Sequence, residues 1–313
     1  MFPMKKIFLA SALIICSSLS ALEEEDLAFD PVAPSVQEFN SRMQDAIAQE
    51  DWWAVVDYAD LISYNFPTTP FAKEAGFTMG EAYYKLGQFE YSNDCFTAYL
   101  NQSTSPKHFE EAIHYKFMIA EQFGSGAKKR LFGSHKMPAW LPAQEDALKI
   151  YDEVISALPH SEIAAQALLN KAKLQVYFED YKPGIETLDF LIRRFPKHDL
   201  AAESFLEKNR IYLIQCKAQN LDPDLLDLAE VNTRKFQQAF PREPRVMEAE
   251  KIISELKEIF AQNLFETGCF FEKTKKIPAS VIYYTKVIAK YPNTEAALAA
   301  REKLESLQAA GHL

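Results

Sequence analysis

The sequence predicts an all-α protein, an α-solenoid in which five to six helical hairpins stack in series as a right-handed superhelix. Three observations predict it. Apolar residues recur at helical spacing along most of the chain, small residues recur once in each hairpin, and the hairpins end at proline turns. With 9 Gly and 16 Pro in 313 residues, 48% of them hydrophobic, the chain has the composition of a packed protein.

The repeat is visible as one small residue in the second helix of each hairpin, followed by a turn where an aromatic residue or Leu precedes Pro. Proline lacks an N–H group and clashes with the preceding helical turn, so it ends each second helix. The small positions are Val55, Ser92, Ala147, Gly184, Ala229 and Ser280. The turns are Phe66-Pro67, Leu158-Pro159, Phe195-Pro196, Phe240-Pro241 and Tyr291-Pro292.

The segment from Gly76 to Pro106 shows the repeat most clearly, as two amphipathic helices joined by a tight turn at Gly87. Its small and aromatic residues fall at the offsets that are typical of a tetratricopeptide (TPR) unit, a helix–turn–helix of about 34 residues. Because two helices can cross closely only where side chains are small, we expect Gly80 and Ser92 to mark the crossing point. Tyr83 and Phe96 are expected to fill the space beside it.

Residues 1–21 are predicted to be a targeting segment, because Lys5 and Lys6 precede an apolar run that is too short to span a membrane. Two processing routes fit. Cleavage near Ser20 or Ala21 releases a soluble protein, whereas cleavage before Cys16 with lipid added to its sulfur gives a lipoprotein. Ile15 stands where a lipoprotein signal usually has a small residue. Residues 22–34 are acidic and are predicted to form an extended tether.

Residues 35–309 are predicted to form the solenoid, and exposed aromatic residues of its first half are candidates for partner binding. These candidates are Trp52, Tyr58, Tyr83 and Tyr84. Each has an alternative role in core packing, and for the Trp52-Trp53 pair we favour packing at the end of the solenoid over a ligand cage.

The third hairpin contains an insertion at residues 124–142, where a repeat of this kind needs only a short turn. The insertion brings several cations and a tryptophan into an acidic protein: Lys128, Lys129, Arg130 and Trp140. Long loops in compact proteins are often functional, so one interpretation is a docking loop for an acidic partner or peptide. The alternative is a solvated excursion that Trp140 anchors to the next helix.

The later hairpins follow the same pattern with two variations. The fifth has a longer turn, where Asp222 or Asp224 is expected to cap the second helix. The sixth begins with a long helix that reaches about Lys273. Residues 294–308 are predicted to form a last helix that covers the end of the stack, as solenoids require.

The residues indicate a binding protein, not an enzyme. The six histidines lack metal-ligand spacing, and neither a phosphate-binding glycine loop nor a serine-nucleophile motif occurs, so no cofactor is expected. A net charge of −10 argues against nucleic acid. Cys95, Cys216 and Cys269 lie within helical patterns; we expect buried free thiols, although an extracytoplasmic location permits one disulfide.

An exported helical-repeat chain with Phe-Pro turns, the run Gly80-Glu-Ala-Tyr-Tyr84 and a signal ending near a Cys resembles the BamD family over roughly residues 35–309. The resemblance implies a non-enzymatic lipoprotein scaffold at the periplasmic face of the outer membrane. It further implies that the amino-terminal repeats receive unfolded β-barrel precursors and that the carboxy-terminal repeats dock on the barrel-forming subunit of an assembly complex with other lipoproteins. Tyr283 and Lys286 are candidates for that second surface.

A different periplasmic TPR adaptor, which coordinates cell-envelope or peptidoglycan synthesis, is the alternative function. Such coordinators often carry a coiled-coil segment before their repeats, and the short segment 22–34 is not predicted to form a coiled coil.

Overall fold

A computed structural model describes residues 35–102, 104–130, 138–218 and 222–311, and the predicted targeting segment and tether lie outside them. Within these ranges the chain forms thirteen α-helices and two short strands. The helices are α1 (Val36–Ala48), α2 (Trp52–Asn65), α3 (Pro70–Lys85), α4 (Phe89–Asn101), α5 (Phe109–Gly124), α6 (Gln144–Ala157), α7 (Glu162–Tyr177), α8 (Tyr181–Arg194), α9 (Asp199–Ala218), α10 (Asp224–Ala239), α11 (Arg245–Lys273), α12 (Ile277–Lys290) and α13 (Glu295–Ala309). The strands are β1 (Lys128–Arg130) and β2 (Ala139–Pro142).

The helices pack as six consecutive hairpins, and α13 closes the series against α11 and α12. Each hairpin also packs on the next one through its second helix. From α3 onwards the odd-numbered helices contact one another in order, and they do so more extensively than the even-numbered helices. The stack therefore curves with the odd-numbered helices, the inner layer, on its concave side and the even-numbered helices, the outer layer, on its convex side. This arrangement confirms the all-α, TPR-like solenoid.

The small residues that define the repeat are all buried and all lie in the second helices of the hairpins. At the crossing of α3 and α4, a Cβ atom added to Gly80 would lie 2.9 Å from the ring of Phe96. In the sixth hairpin, a Cβ atom added to Gly268 would lie 2.7 Å from the ring of Tyr284. Glycine is thus required where an aromatic side chain of the second helix packs closely against the first.

Side-chain caps mark four helix starts, and the predicted proline turns mark five helix ends. Side chains of Asp51, Thr69, Ser161 and Thr294 accept a hydrogen bond from the backbone N–H three residues later, at 3.2–3.3 Å, and cap α2, α3, α7 and α13. Each of the five aromatic or Leu residues before the turn prolines is the residue that ends its helix. At α10 the cap position is occupied by Pro223, not by Asp222 or Asp224 as expected; Asp222 Oδ1 still accepts from the N–H of Asp224, the first helical residue, at 3.0 Å.

Four hairpins share a tight turn whose key residue has a left-handed backbone. The residue is Gly87 in the second hairpin (φ 68°), but it is Glu50, Glu179 and Lys275 in the first, fourth and sixth, with φ between 56° and 62°. Left-handed conformations cost a residue with a Cβ atom about 1 kcal/mol or more. In the third hairpin, α5 ends in the same way at Gly126 (φ 106°), before the insertion.

Lysines at one repeat position tie three inner helices to the outer helix that precedes each of them. Lys116 donates to Thr97, Lys171 to Asp152 and Lys208 to Asp189, with N–O distances of 2.6–2.7 Å and a spacing of 19 residues in every case. Lys116 is only 1% exposed and also bonds to Asn93 and Glu153. These ties fix neighbouring hairpins relative to each other in the middle of the solenoid.

The insertion contains a structure that the sequence did not predict. Its two ends pair as an antiparallel ribbon, with Lys129 opposite Leu141 and Arg130 opposite Ala139. Trp140 is 57% exposed, so the expectation that it anchors the insertion to the next helix is wrong. Lys129, which pairs with Asp146 at the start of α6, makes that attachment instead. Trp140 is the extra residue of β2 at the register shift of the ribbon, where it has no partner in β1.

Candidate polypeptide-binding surfaces

The aromatic candidates of the first half do not form one surface. Trp52, Tyr58 and Tyr83 are half-buried against the apolar core of the first two hairpins. Tyr83 also packs on Tyr91, with ring centroids 5.4 Å apart, and burial raises the pKa of its hydroxyl to about 12. Tyr84 packs on the next core, between Phe89 and Tyr115. Consecutive side chains on a helix point about 100° apart, so Tyr83 and Tyr84 pack against different hydrophobic cores.

Tyr115, which contacts Tyr84, forms part of a cavity of about 780 Å³ on the concave side, between α3 and α5 with Ile163 of α7 at its border. We call it the inner cavity. Phe77 and Tyr115 form its aromatic wall, and the ring of His108 stacks on Phe77 with centroids 4.5 Å apart. His108 Nε2 lies 3.0 Å from Glu74 Oε2, which holds the imidazole in place.

The inner cavity is also acidic. Glu81, Glu110 and Glu111 line it, and the hydroxyl of Tyr115 donates to Glu81 Oε1 at 3.0 Å. Burial raises the pKa of Glu81 above its ordinary value, against the opposing effect of the Tyr115 hydrogen bond. A carboxylate with this environment favours a cationic or hydrogen-bond-donating group nearby. The cavity therefore offers aromatic surface and negative charge to polypeptide side chains.

Two of the three basic side chains proposed for the docking loop, Lys129 and Arg130, contact other residues of the protein. Lys129 pairs with Asp146, and the guanidinium of Arg130 donates to Gln88 and lies 5.6 Å from the ring centre of Tyr91. The backbone N–H of Arg130 donates to Glu90 Oε2 at 3.0 Å. Lys128 and Trp140 remain exposed. The predicted docking loop thus presents two of its four candidate residues to solvent.

The last hairpin presents an aromatic and basic surface. Tyr283 stacks on Phe271 with centroids 5.3 Å apart and an interplanar angle of 24°, and Phe270 packs beside Phe271. Phe270 is 59% exposed, and Lys286 on the same hairpin is also exposed. Aromatic side chains that are rigid and accessible are the groups that contribute most to protein interfaces. We call Phe270, Phe271, Tyr283 and Lys286 the terminal patch.

Tyr283 and Lys286 of the terminal patch were predicted from the sequence, whereas Phe270 and Phe271 were not. A charge pattern was available as a signal: between residues 273 and 290 the chain has five Lys and neither Asp nor Glu, although its net charge is −10. A basic helix with apolar residues on its exposed face is typical of a contact surface. The inner cavity had no comparable signal, because its residues come from three hairpins.

Cysteine and metal chemistry add no site in the part of the chain that the structure describes. Cys95, Cys216 and Cys269 are free thiols, of which Cys216 is buried and the others are half-buried. Burial raises the pKa of Cys95 to about 12, which keeps its thiol protonated and unreactive. Cys16 lies outside the described residues. Within those residues, no group of His, Cys, Asp and Glu has the geometry to hold a metal ion, and no helix is both long and apolar enough to cross a bilayer.

Comparisons with solved structures find other repeat proteins at low identity. A tetratricopeptide repeat protein from Parabacteroides merdae is 14% identical, with 86% of this chain and 97% of that chain covered and a TM-score of 0.37. MamA from Desulfovibrio magneticus RS-1, from residue 41 to its end, is 15% identical, with 69% and 95% covered and a TM-score of 0.36. A comparison with the curated proteins finds no match. The fold assignment therefore rests on the helix packing described above.

The family comparison covers more than half of the chain. Residues 141–311, which span the sequence from the second strand of the ribbon to the end of the solenoid, match the family described as YfiO: Outer membrane lipoprotein. The matched segment includes the terminal patch and the last four hairpins of the stack in whole or in part. The chain belongs to the YfiO family of outer membrane lipoproteins, which is the BamD family that its repeats and turns resemble.

Proposed function

We propose that this protein is a non-enzymatic scaffold at the periplasmic face of the outer membrane, within the complex that assembles β-barrel proteins. The observation that carries the proposal is the serial stacking of six hairpins, because it leaves an inner layer of helices open along its concave side. Such a layer can hold an extended or helical segment of another polypeptide. Membership of a family of outer membrane lipoproteins supports the location.

The inner cavity is the surface that suits unfolded precursors. Its wall of Phe77 and Tyr115 accepts apolar side chains, and Glu81 and its neighbours accept the donors of an unfolded chain. Binding there is expected to be weak for any single segment, because ordering a disordered chain costs free energy that a small contact area offsets only in part. Weak binding suits a precursor that must be passed on.

The terminal patch is the surface that suits a folded partner, the barrel-forming subunit or another lipoprotein of the complex. Its stacked Phe271 and Tyr283 are already ordered, so binding loses little conformational entropy. Phe270 is largely exposed and gains the most burial on docking. Truncation of an aromatic residue at the centre of an interface typically costs about 2 kcal/mol or more, or roughly 30-fold in affinity.

We further infer that binding, and not catalysis, is the activity of the chain. The sequence lacks the motifs of nucleotide-dependent and serine-nucleophile enzymes. In the inner cavity, Glu81 accepts from Tyr115 of the aromatic wall and Glu111 lies 3.5 Å from His108, which stacks on that wall, so their arrangement is that of a binding surface.

Purification of the full-length, tagged protein from the outer membrane of its native host in mild detergent tests the proposal. We expect the barrel-forming subunit to co-purify with the wild type and to be lost with Phe270→Asp. Tyr64→Asp is the matched control, because Tyr64 is an exposed aromatic residue on α2, in the first hairpin. Recovery of the wild type without that subunit, or with proteins of peptidoglycan synthesis in its place, contradicts the proposal.

A further inference from the structure

A second groove lies on the convex side of the solenoid, between α8 and α10, with α9 as its floor. It has a volume of about 470 Å³, and one face of each of the three helices lines it. We call it the outer groove. Along α10 it extends from Leu225 to Lys235, which is about 15 Å at a rise of about 1.5 Å per residue. An extended chain of about four or five residues has the same length.

Two side chains that line the outer groove are almost fully buried, and within the described residues one of them, Asn232, carries an enclosed polar atom without a partner, whereas the hydroxyl of the other, Tyr212, keeps some accessible surface. Tyr212 is 5% exposed, and within the described residues its hydroxyl makes no hydrogen bond. Asn232 is 3% exposed; its Nδ2 donates to Phe205 O at 2.7 Å and to Asn209 Oδ1 at 2.8 Å, and its Oδ1 has no partner. Those two acceptors fix the orientation of the amide, so Oδ1 is an acceptor by necessity.

Buried polar atoms are nearly always hydrogen-bonded, because an unpaired one costs about 1–3 kcal/mol. Within the described residues that cost falls on Asn232 Oδ1, the unpaired acceptor of the outer groove, while the hydroxyl of Tyr212 is an accessible donor beside it. Asn232 Oδ1 has almost no accessible surface, so a donor reaches it only when the groups that cover it move. A peptide group carries one acceptor and one donor and satisfies both atoms.

The charges of the outer groove balance almost completely. Lys208 donates to Asp189 at 2.7 Å, and Lys182 and Glu186 on α8 carry opposite charges. Among the charged residues that line the groove, Lys235 at one end is the one whose charge is not balanced by an opposite charge. The rim adds the apolar side chains of Leu228 and Val231, both of which are exposed. This combination favours an occupant that is uncharged at its centre and carries apolar side chains.

We propose that the outer groove binds an extended, uncharged segment of polypeptide through its backbone. A carbonyl of the segment accepts from the Tyr212 hydroxyl, an N–H group donates to Asn232 Oδ1, and apolar side chains cover Leu228 and Val231. A helical segment does not fit this chemistry, because its amides are already bonded within the helix. The inference rests on the proposed polypeptide-binding function and adds a second site on the opposite side of the solenoid.

Binding of three fluorescent peptides to the purified full-length protein, measured by anisotropy, tests this inference. The parent probe is a capped hexapeptide of alternating Ser and Val. The second carries N-methyl groups on its central amides, and the third is a helix-stabilised peptide of the same residues. We expect the parent to bind about fivefold tighter than the N-methylated peptide, as one lost hydrogen bond of about 1 kcal/mol implies. Tighter binding of the helical peptide, or equal binding of the first two, overturns the proposal.

Variants locate the binding. We expect Tyr212→Phe to weaken the parent probe about fivefold and Leu228→Asp to weaken it further, whereas Tyr177→Phe, an exposed tyrosine at the end of α7, leaves it unchanged. Suppose that both groove variants bind the parent probe as tightly as the wild type does, while Phe77→Ala in the inner cavity weakens binding of that probe. The assignment of the peptide site to the outer groove is then wrong, and the proposed function stands. If no peptide binds the wild type and denatured precursor does not bind either, both proposals fail.

Discussion

The hydroxyl of Ser92 donates to the backbone carbonyl of Gly80 at 2.8 Å and joins α4 to α3 where the two helices cross. At the same repeat position in the sixth hairpin, Ser280 instead donates to Ile277 within its own helix. Both hairpins nevertheless place an aromatic ring, Phe96 or Tyr284, on the glycine of the first helix. The close approach is therefore common to these two hairpins, and the hydrogen bond between helices is an addition in the second hairpin.

Two glycines of α3 separate the packing requirement from helix propensity. Gly80→Ala is expected to lower the free energy of unfolding by about 1–3 kcal/mol, because the new Cβ atom displaces the Phe96 ring. Gly76→Ala is the matched control: nothing lies within 4 Å of its Cβ position, so alanine is expected to stabilise by up to about 1 kcal/mol. Urea denaturation measures both. Equal effects of the two variants would contradict close packing at Gly80.

The left-handed turns predict stabilising substitutions. Glu179→Gly is expected to raise the free energy of unfolding by about 1 kcal/mol, because Glu179 has φ 62° and glycine adopts this conformation without strain. Gly87→Ala, at the equivalent position of the second hairpin, is expected to lower it by a similar amount. Thermal unfolding of both variants tests the assignment. A destabilised Glu179→Gly protein would mean that this side chain has a role beyond the turn.

The recurring lysines differ in burial, and their loss should differ accordingly. Lys116→Ala is expected to cost about 3 kcal/mol, because it removes a buried ammonium group and leaves Asn93 and Thr97 without their donor. Lys171→Ala, at the same repeat position but closer to solvent, is expected to cost about 0.5 kcal/mol. Chemical denaturation compares the two, and a similar cost for both would show that burial of Lys116 is unimportant.

Acid should weaken the last hairpin through Glu272. The hydroxyl of Tyr284 donates to this carboxylate at 2.6 Å and Lys303 lies 3.2 Å away, and the two lower its pKa below the ordinary value. A carboxylate with a lowered pKa in the folded state contributes stability above its unfolded pKa, and that contribution is lost as the pH falls through the folded pKa. Tyr284→Phe is therefore expected to destabilise more at about pH 7 than at about pH 3. Unfolding at both pH values tests this, and a constant difference is the contrary result.

The sequence predicted the stack because the constraints on it are local and periodic. Ser92, Ala147 and Gly184 recur at one register, and proline turns mark the helix ends. Each hairpin can therefore be recognised from the sequence of a single repeat. The ribbon formed by residues 128–130 and 139–142 was missed because three- and four-residue strands have too little pattern to be recognised. Trp140 was misjudged for the same reason, since its direction depends on strand pairing.

The binding surfaces were less predictable because they combine residues from different hairpins. Tyr84 and Tyr115 meet across two repeats, and Lys116 reaches Thr97 on the preceding hairpin. Only a comparison of whole repeats reveals the recurring spacing of 19 residues. The sequence does not distinguish a partly buried aromatic residue such as Tyr58 that packs in a core from one that faces a partner, because both roles require the same apolar side chain.

Site-specific photocrosslinking in the native outer membrane tests the central claim, that one solenoid holds different polypeptides on separate surfaces. A photoreactive residue at His114, beside the inner cavity, is expected to crosslink β-barrel precursors. The same residue at Phe270 is expected to crosslink the barrel-forming subunit, and at Glu255, on α11, neither. Identical products at all three positions, or none at His114 and Phe270, would contradict the account.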